Sequence, residues 1–277
     1  MNVRSLPLRV VTKTAHDGPR ATLTAARTYL SNHLTRARNV LSYRFRASRG
    51  EKSVVHDGVR LRVDHPHFDD QVRSWLVRGE YETPEARLVE KHLAGRDCDV
   101  VELGGGMGYV ACRIDRLLAP GRTHVVVEAD RAVRPVLEAT REANGAGFVV
   151  RPAAYAPVGD LVTFYRQERF TQNSIRAERS SLDADSVPAV SLANLCAAYA
   201  LDRVAVVADV EGAEHDLLAH EGDVLRAHVD LLVVEFHAMG DETAETGVDR
   251  LADLGFELVD RDNDVYVFEN RSCLPSR

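Results

Sequence analysis

The chain has 277 residues, of which 45% are hydrophobic and 28% charged, a composition that excludes collagen-like, coiled-coil and wholly disordered proteins. Its four cysteines form no C-x-x-C pair, so neither a disulfide framework nor a thiolate zinc site is predicted, and we expect a reducing, cytoplasmic setting. No apolar run reaches the 18 residues that a membrane-spanning helix needs.

The net charge of −7 is unevenly distributed along the chain. Residues 1–60 contain 12 Lys and Arg against 3 Asp and Glu, whereas residues 61–277 contain 23 against 39. An acidic body argues against a nucleic-acid substrate, because the phosphate backbone is bound through basic side chains. The basic first segment is a candidate interaction arm.

A helical stripe of apolar or small residues runs from Leu23 to Phe45, with arginines at other positions around the helix. Two interpretations stay open: the helix packs on its own domain, or it makes peripheral contact with an anionic membrane surface. After it, Ser53–Val55 and Val59–Val63 flank His56-Asp57-Gly58, which predicts a β-hairpin with a D-G turn. Two further helices are predicted near 68–77 and 84–93.

From Cys98 onward, short apolar strands alternate with helices, which predicts an open parallel sheet covered on both faces. Strands are predicted at 99–103, 123–128, 148–151, 204–209 and 230–235, and helices at 109–118, 132–144, 192–199, 213–225 and 247–254. The final strands, 257–260 and 265–269, are joined so tightly that they must pair antiparallel. The polar segment 169–185, with its Thr171-Gln172-Asn173-Ser174 run, interrupts the alternation and predicts a loop over the ligand edge.

A glycine cluster, Glu102 to Tyr109, lies between the first predicted strand of this series and its helix. Ligands bind at such junctions, since the glycines let the backbone turn sharply and approach a ligand closely. A dinucleotide fingerprint requires G-x-G-x-x-G, but Tyr109 stands where the third glycine belongs. The remaining pattern, E-x-G-x-G-x-G, suits an amino acid and a ribose better than a pyrophosphate.

Three more groups of ionisable residues follow predicted strands. Glu128 comes 24 residues after Gly104, close to the spacing at which a carboxylate accepts hydrogen bonds from ribose hydroxyls. The run Asp209 to Glu214 begins at the end of the strand predicted at 204–209. A favourable interaction with the dipole of the next helix accounts for Glu214 as well as a role in the site does. Glu235-Phe236-His237 ends an apolar strand and offers candidates for a general base, although a buried structural role for His237 is an equal alternative.

Metal assistance stays an open alternative, since these carboxylates and the imidazole could bind Mg²⁺ or a transition metal that acidifies the hydroxyl. We assign no metal ligands, because the residues form no clear ligand triad in the sequence. The run Asp64 to Asp70 resembles a metal site in composition, but its proline suits a polar connection better.

These residues resemble the FkbM family of S-adenosylmethionine-dependent methyltransferases over roughly Tyr81 to Glu269. The markers are Tyr81-Glu82, the glycine loop, Glu128, Ala153-Ala154 with Val162 to Tyr165, the D-V-E-G-A-E run at 209–214, and Glu235-Phe236-His237. The chain departs from the family pattern at Ala208, where the family usually has Ile after Lys, and at Glu102, where it usually has Asp.

The resemblance implies a class I, Rossmann-like fold: a doubly wound, seven-stranded, mostly parallel sheet with an antiparallel C-terminal hairpin. It divides the chain into an N-terminal helical and hairpin appendage (1–80) and a methyltransferase domain (81–277). The implied activity is O-methylation of a hydroxyl on a sugar or glycan, a glycolipid or a polyketide-like small molecule, with S-adenosyl-L-methionine as the cofactor.

The site residues follow from the same resemblance. We assign to the cofactor Glu102, Gly104, Gly106, Gly108, Tyr109, Glu128 and Asp209. We place toward the acceptor Asp209, Glu211, Glu235 and His237, with His237 or Asp209 as the base that removes the hydroxyl proton.

Two other functions remain open at this point. One is an NAD(P)-dependent oxidoreductase, which the spacing at Tyr109 disfavours. The other is a non-catalytic module that binds the cofactor and interacts with a partner. The departure from the family pattern at Ala208 is the reason for considering it. A nucleic-acid amino-methyltransferase is not expected, because Asp209-Val210-Glu211-Gly212 lacks the D-P-P-Y turn that grips a flipped base.

Overall fold

The computed structural model describes residues 52–65, 68, 70–166, 174–175 and 183–271. The predicted basic helix, most of segment 169–185 and Cys273 lie outside these residues. The described helices are α1 (Asp70–Arg78), α2 (Thr83–Leu93), α3 (Tyr109–Asp115), α4 (Arg134–Asn144), α5 (Leu192–Tyr199), α6 (Glu214–His220), α7 (Gly222–His228) and α8 (Ala244–Asp253). The described strands are β1 (Ser53–His56), β2 (Val59–Arg62), β3 (Asp99–Leu103), β4 (His124–Val127), β5 (Val149–Arg151), β6 (Ala154–Tyr155), β7 (Leu161–Arg166), β8 (Asp183–Val190), β9 (Val204–Ala208), β10 (Val229–Glu235), β11 (Phe256–Asp262) and β12 (Val265–Asn270).

Seven of the described strands form the central sheet, in the order β11-β12-β10-β9-β3-β4-β5. Strands β10, β9, β3, β4 and β5 run parallel, and β12 pairs antiparallel with β10 and β11. The chain adds β4 and β5 on one side of β3 and later adds β9 and β10 on the other, which is the doubly wound topology. The predicted α/β, Rossmann-like architecture is therefore confirmed.

Each face of the central sheet has its own hydrophobic core. Val100 and Val207 belong to one core, and Leu103 and Val206 belong to the other. Strands β4 and β9 are buried along their whole length, because both faces of the sheet are covered.

The hairpin β1–β2 packs into the first of these cores, since its Val59 and Leu61 are fully buried in the same cluster as Val100. Its loop is the predicted Asp57-Gly58 pair, with φ angles of 44° and 80°. Two successive left-handed residues match the twist of the strands, which explains the D-G sequence. The division of the chain at residue 80 stays a prediction, but hydrophobic contacts cross that point.

Residues 154–190 contain a second sheet that the sequence analysis leaves as an irregular connection. Strands β6, β8 and β7 form it, with β8 antiparallel to β7 and parallel to β6. Arg166 at the end of β7 pairs with Asp183 and Asp185 of β8, so charge complementarity helps to align the two strands.

The helix predicted over 213–225 is instead two helices, α6 and α7, which meet at Glu221. The buried carboxylate of Glu221 accepts hydrogen bonds from Tyr155 Oη and from the backbone amides of Leu192 and Ala193, each at 2.8 Å. A carboxylate held in this position turns the chain out of a single helix. The same contact ties β6 and α5 to the connection between α6 and α7.

Among the described helices, none is long and apolar enough to cross a membrane. Cys98, Cys112 and Cys196 are buried free thiols.

Candidate functional site

The carboxyl ends of β3, β4, β9 and β10 meet at one edge of the sheet and border two connected spaces. The inner cavity is bordered by Gly104, Gly106, Glu128, Asp130, Phe164 and Asp209, among others, and holds about 720 Å³ with its open mouth included. The outer cleft is bordered by Trp75, Glu82, Glu85, Glu211, Glu235 and His237, among others, and holds about 1130 Å³ on the same measure.

Four residues border both spaces, so the spaces join there. They are Tyr81, Glu82, Asp209 and Glu211. Ligand sites of doubly wound sheets lie at this carboxyl edge, next to the point where the strand order reverses. The structure therefore provides a two-part site in the expected position.

Gly104 and Gly106, which were predicted to bind the cofactor, border the inner cavity. Gly104 has a φ of 92°, and a Cβ there would lie 1.8 Å from the carbonyl oxygen of Asp209. Gly106 has a φ of 47°, and a Cβ there would lie 3.0 Å from Tyr81 Oη and 3.3 Å from Glu82 Oε1. The two glycines thus let the ends of β3 and β9 approach each other and let Tyr81 and Glu82 close over the loop.

Gly108 and Tyr109 do not border either space, and their assignment to the cofactor stays a prediction. Gly108 begins α3 in the left-handed region, and a Cβ there would lie 2.7 Å from Leu137 Cδ1. Tyr109 is fully buried, with its ring stacked on His56 and its hydroxyl donating to Asp57 at 3.1 Å. Both residues pack the first turn of α3.

Glu102 also lies away from both spaces, paired with a buried histidine of the neighbouring strand. Its Oε2 is 3.1 Å from Nε2 of His124, and both side chains are almost fully buried. Burial raises the pKa of Glu102 well above its usual range and lowers that of His124 to about 3. Burial thus favours the uncharged form of each group, and Glu102 packs inside the sheet.

Glu128 borders the inner cavity at the end of β4, in the position predicted for the ribose carboxylate. Its Oε2 accepts from the Gly106 amide at 2.8 Å, and its Oε1 accepts from the Asp130 amide at 2.7 Å. Burial raises the pKa of Glu128 to about 7, although the two hydrogen bonds act to lower it. Each carboxylate oxygen keeps a second lone pair for a ligand hydroxyl.

The sequence analysis did not find Asp130, which is buried and borders the same cavity. One of its oxygens, Oδ1, accepts from the Ala132 amide at 2.8 Å and pairs with Arg166. The sequence did contain a signal for Asp130. It comes two residues after Glu128, and side chains two residues apart lie on the same side of an extended chain.

His237 stands at the centre of a group of four carboxylates. Its Nδ1 is 3.0 Å from Oε1 of Glu214, and its Nε2 is 3.4 Å from Glu211, 3.8 Å from Glu235 and 4.0 Å from Asp209. The structure thus brings together all four residues predicted to face the acceptor. It also brings together an Asp209–Glu211–His237 triad of metal-ligand type, which corrects the expectation that no clear triad exists.

The charges of this group are strongly coupled. Burial and neighbouring carboxylates raise the pKa of Asp209 to about 7 and that of Glu211 to about 8. Burial lowers the pKa of His237, but the Glu214 hydrogen bond and the Glu211 and Asp209 charges raise it more, to about 10. Carboxylates face both ring nitrogens, so the charges of the protein alone favour the protonated imidazole, which argues against His237 as the base.

Glu214 holds the 209–214 turn together through its hydrogen bonds. From the sequence, the alternative to a role in the site was only an interaction with the helix dipole. It has no exposed surface, and it accepts from the amides of Val210 and Gly212 as well as facing His237. Glu211 within this turn has a left-handed φ of 49°, a backbone strain typical of functional sites. Glu214 thus supports both the turn and the imidazole.

Tyr81 and Glu82 come from a distant part of the chain and border both spaces. Burial and nearby carboxylates, Asp209 first, raise the pKa of Glu82 well above its usual range, and its hydrogen bond with Tyr81 offsets part of this rise. The sequence analysis used this pair only as a mark of resemblance, and no local signal pointed to a site.

Part of the polar segment that was predicted to cover the ligand edge does border the inner cavity. Ile175 lies in its wall, and Ser174 Oγ donates to the carbonyl oxygen of Glu211 at 2.6 Å. Residues 171–173 of this segment lie outside the described part of the chain.

No protein-family model matches the chain, and no curated protein matches it. One solved structure that matches, a Streptococcus agalactiae protein of the NADB-Rossmann superfamily, is 14% identical with a TM-score of 0.41 and covers 67% of each chain. Precorrin-6y C5,15-methyltransferase from Geobacter metallireducens GS-15 is 15% identical with a TM-score of 0.38, covering 66% of this chain and 86% of its own. Streptococcus pneumoniae Sp1610, a proposed tRNA (m1A22) methyltransferase solved with S-adenosyl-L-methionine, is 12% identical with a TM-score of 0.40, covering 67% and 72%. At such identities and TM-scores, the assignment of a function depends on the geometry of the site.

Proposed function

We propose that the chain is an S-adenosyl-L-methionine-dependent O-methyltransferase that acts on a hydroxyl of a sugar or glycan, a glycolipid or a polyketide-like small molecule. One observation carries this proposal. The described residues that border the inner cavity include Glu82, Glu128, Asp130, Asp209 and Glu211 but no Lys or Arg. A cationic sulfonium would stabilise the ionised forms of these carboxyl groups, whose pKa values are raised without it, whereas the described lining offers no basic side chain to bind the pyrophosphate of NAD(P).

The inner cavity offers groups suited to each part of this cofactor. Glu128 can accept hydrogen bonds from ribose hydroxyls, as its position at the end of β4 supports. Gly104 and Gly106 leave room for close approach of the ligand to the backbone. Phe164 and Ile175 supply apolar surface for a flat base.

The outer cleft suits a polyhydroxylated acceptor. The indole of Trp75 offers an apolar face, and Glu82, Glu85 and Glu235 offer hydrogen-bond acceptors for hydroxyls. Because the cleft joins the inner cavity at Asp209 and Glu211, a hydroxyl held in the cleft would lie beside a methyl donor held in the inner cavity.

The bound cofactor supplies an electrophilic methyl group. The acceptor oxygen forms a bond to this carbon as the carbon–sulfur bond breaks, and the hydroxyl proton must pass to a base. We assign that role to Glu235, which lies at the end of β10 and borders only the outer cleft. This replaces the preference for His237 or Asp209, since His237 faces carboxylates at both nitrogens and Asp209 Oδ1 is enclosed.

Calorimetry with S-adenosylmethionine and S-adenosylhomocysteine tests the proposal on the full chain. We expect both to bind, and Gly106→Arg to abolish binding by filling the inner cavity. Gly121→Arg is the matched control, since Gly121 also has a positive φ but a Cβ there meets nothing within 4 Å. Failure of both ligands to bind the folded wild-type chain, or binding of NADH in their place, would refute the proposal.

The acceptor is then found by incubating the chain with a labelled methyl donor and extracts, followed by mass spectrometry of the labelled product. We expect Glu235→Gln to slow label transfer without weakening cofactor binding. Weakened cofactor binding with unchanged transfer at saturating cofactor would contradict the assignment of Glu235.

A further inference from the structure

Three side chains converge where the inner cavity meets the outer cleft. One ligand atom from each of Asp209, Glu211 and His237 lies within 4.8 Å of the other two. Two carboxylate oxygens and one imidazole nitrogen are a ligand set that oxygen-preferring divalent cations accept. A cation holds neighbouring ligand atoms about 3 Å apart, so the observed 3.4 Å and 4.0 Å separations from Nε2 require only small side-chain rotations.

The imidazole is already oriented as metal-binding histidines usually are. Such a histidine directs one ring nitrogen to a carboxylate behind it and presents the other nitrogen to the ion. Here Nδ1 of His237 faces the fully buried Glu214 at 3.0 Å, and Nε2 faces Asp209 and Glu211. Because Glu214 is also held by the amides of Val210 and Gly212, the ring direction is fixed by the turn itself.

Asp209 supplies a second and independent observation. Its Oδ1 is shielded from solvent and has no hydrogen-bond partner among the described residues. Enclosed carboxylate oxygens normally have a partner, because leaving one without costs free energy. This oxygen lies toward His237 Nε2, and an ion between the two would satisfy it.

We propose that Asp209, Glu211 and His237 bind one divalent cation of the Mn²⁺ and Mg²⁺ class at the junction of the inner cavity and the outer cleft. The inference rests on the proposed function in one respect, namely that the ion serves the acceptor hydroxyl. When bound, the ion would lower the pKa of that hydroxyl, so Glu235 would take the proton more readily. The methyl group then passes from sulfur to oxygen without any change in the oxidation state of the ion.

Electron paramagnetic resonance with Mn²⁺ tests the site on the full chain after treatment with EDTA. We expect one Mn²⁺ per chain, displaced by excess Mg²⁺. Glu211→Gln and His237→Gln should each weaken binding by at least about tenfold, and Glu214→Gln by about 10- to 100-fold through the orientation of the imidazole.

His92→Gln is the matched control. Its Nε2 also lies close to a carboxylate, 2.8 Å from Asp260, but it stands outside both spaces and belongs to no triad among the described residues. We expect this variant to bind Mn²⁺ as the wild type does. Circular dichroism of each variant checks that the chain is folded, and Asp209→Asn provides a further test if one of the other variants is not.

The outcomes separate this inference from the proposed function. If S-adenosylmethionine binds but Mn²⁺ does not, the ion site is refuted and the proposed function stands. If Mn²⁺ binds but neither S-adenosylmethionine nor S-adenosylhomocysteine does, the ion site stands and the proposed function is refuted. Equal Mn²⁺ affinity in folded His237→Gln, Glu211→Gln and wild-type chains also overturns the site.

Discussion

Glu214→Gln tests whether this glutamate organises the site or only complements a helix dipole. In the structure its carboxylate accepts hydrogen bonds from the amides of Val210 and Gly212 and faces His237 Nδ1. The side chain has no exposed surface. A glutamine keeps one oxygen but turns an NH₂ group toward at least one of these donors. Breaking a buried, charge-assisted arrangement of this kind costs about 3–5 kcal/mol, and we expect a loss in that range.

The assay is urea unfolding of the full chain at pH 7, followed by circular dichroism, with wild type and variant compared at equal m-values. The control is Glu245→Gln, because Glu245 also lies in the first turn of a helix but is exposed. If the dipole alone explains Glu214, the two substitutions will have equal effects. Equal, small losses of stability would refute the contacts described for Glu214.

Two further predictions concern the edge of the sheet. The free energy of unfolding of Glu102→Gln should rise relative to that of wild type as the pH increases above 4.5, by about 1.4 kcal/mol per pH unit until the pKa of folded Glu102 is reached, because the folded wild type keeps a proton that its unfolded chain releases. Urea unfolding from pH 5 to 8 measures this change, and a difference that is constant over that range would contradict the raised pKa of Glu102. Gly104→Ala should destabilise the chain far more than Gly121→Ala, because both glycines have a positive φ but only a Cβ at Gly104 would meet the Asp209 carbonyl oxygen, at 1.8 Å. The Gly121 change should cost only the left-handed backbone strain of about 1–2 kcal/mol. Similar losses of stability in thermal unfolding of the two variants would argue against the close approach of β3 and β9.

The strands that carry the site could be predicted because burial on both faces leaves a simple pattern. Residues 99–103 and 204–208 are short apolar runs followed by turn residues, and the structure has strands at both places. Since parallel strands end at a common edge, the ionisable residues after them had to lie close together. Strand position and chemical type therefore predicted that Glu128, Asp209, Glu235 and His237 lie at this edge, and the structure has them there.

The remaining parts of the site depend on contacts that local sequence does not show. Tyr81 and Glu82 reach the site only because the chain before β3 folds back over the glycine loop. Strand β8 escapes detection because its polar residues and Pro188 break the alternation that marks a strand. The spacing of the glycine motif does not show the direction of the Tyr109 ring, which stacks on His56.

The wall of the inner cavity formed by the second sheet is attached in two different ways. At β6, Tyr155 is held by the buried carboxylate of Glu221, where salt has little access. At β7, Arg166 forms ion pairs with Asp130, Asp183 and Asp185, of which Asp183 is 63% exposed. Dissolved ions screen exposed charges far more than buried ones. Ionic strength therefore weakens the exposed pair between Arg166 and Asp183, while the buried contact of Tyr155 with Glu221 is little affected.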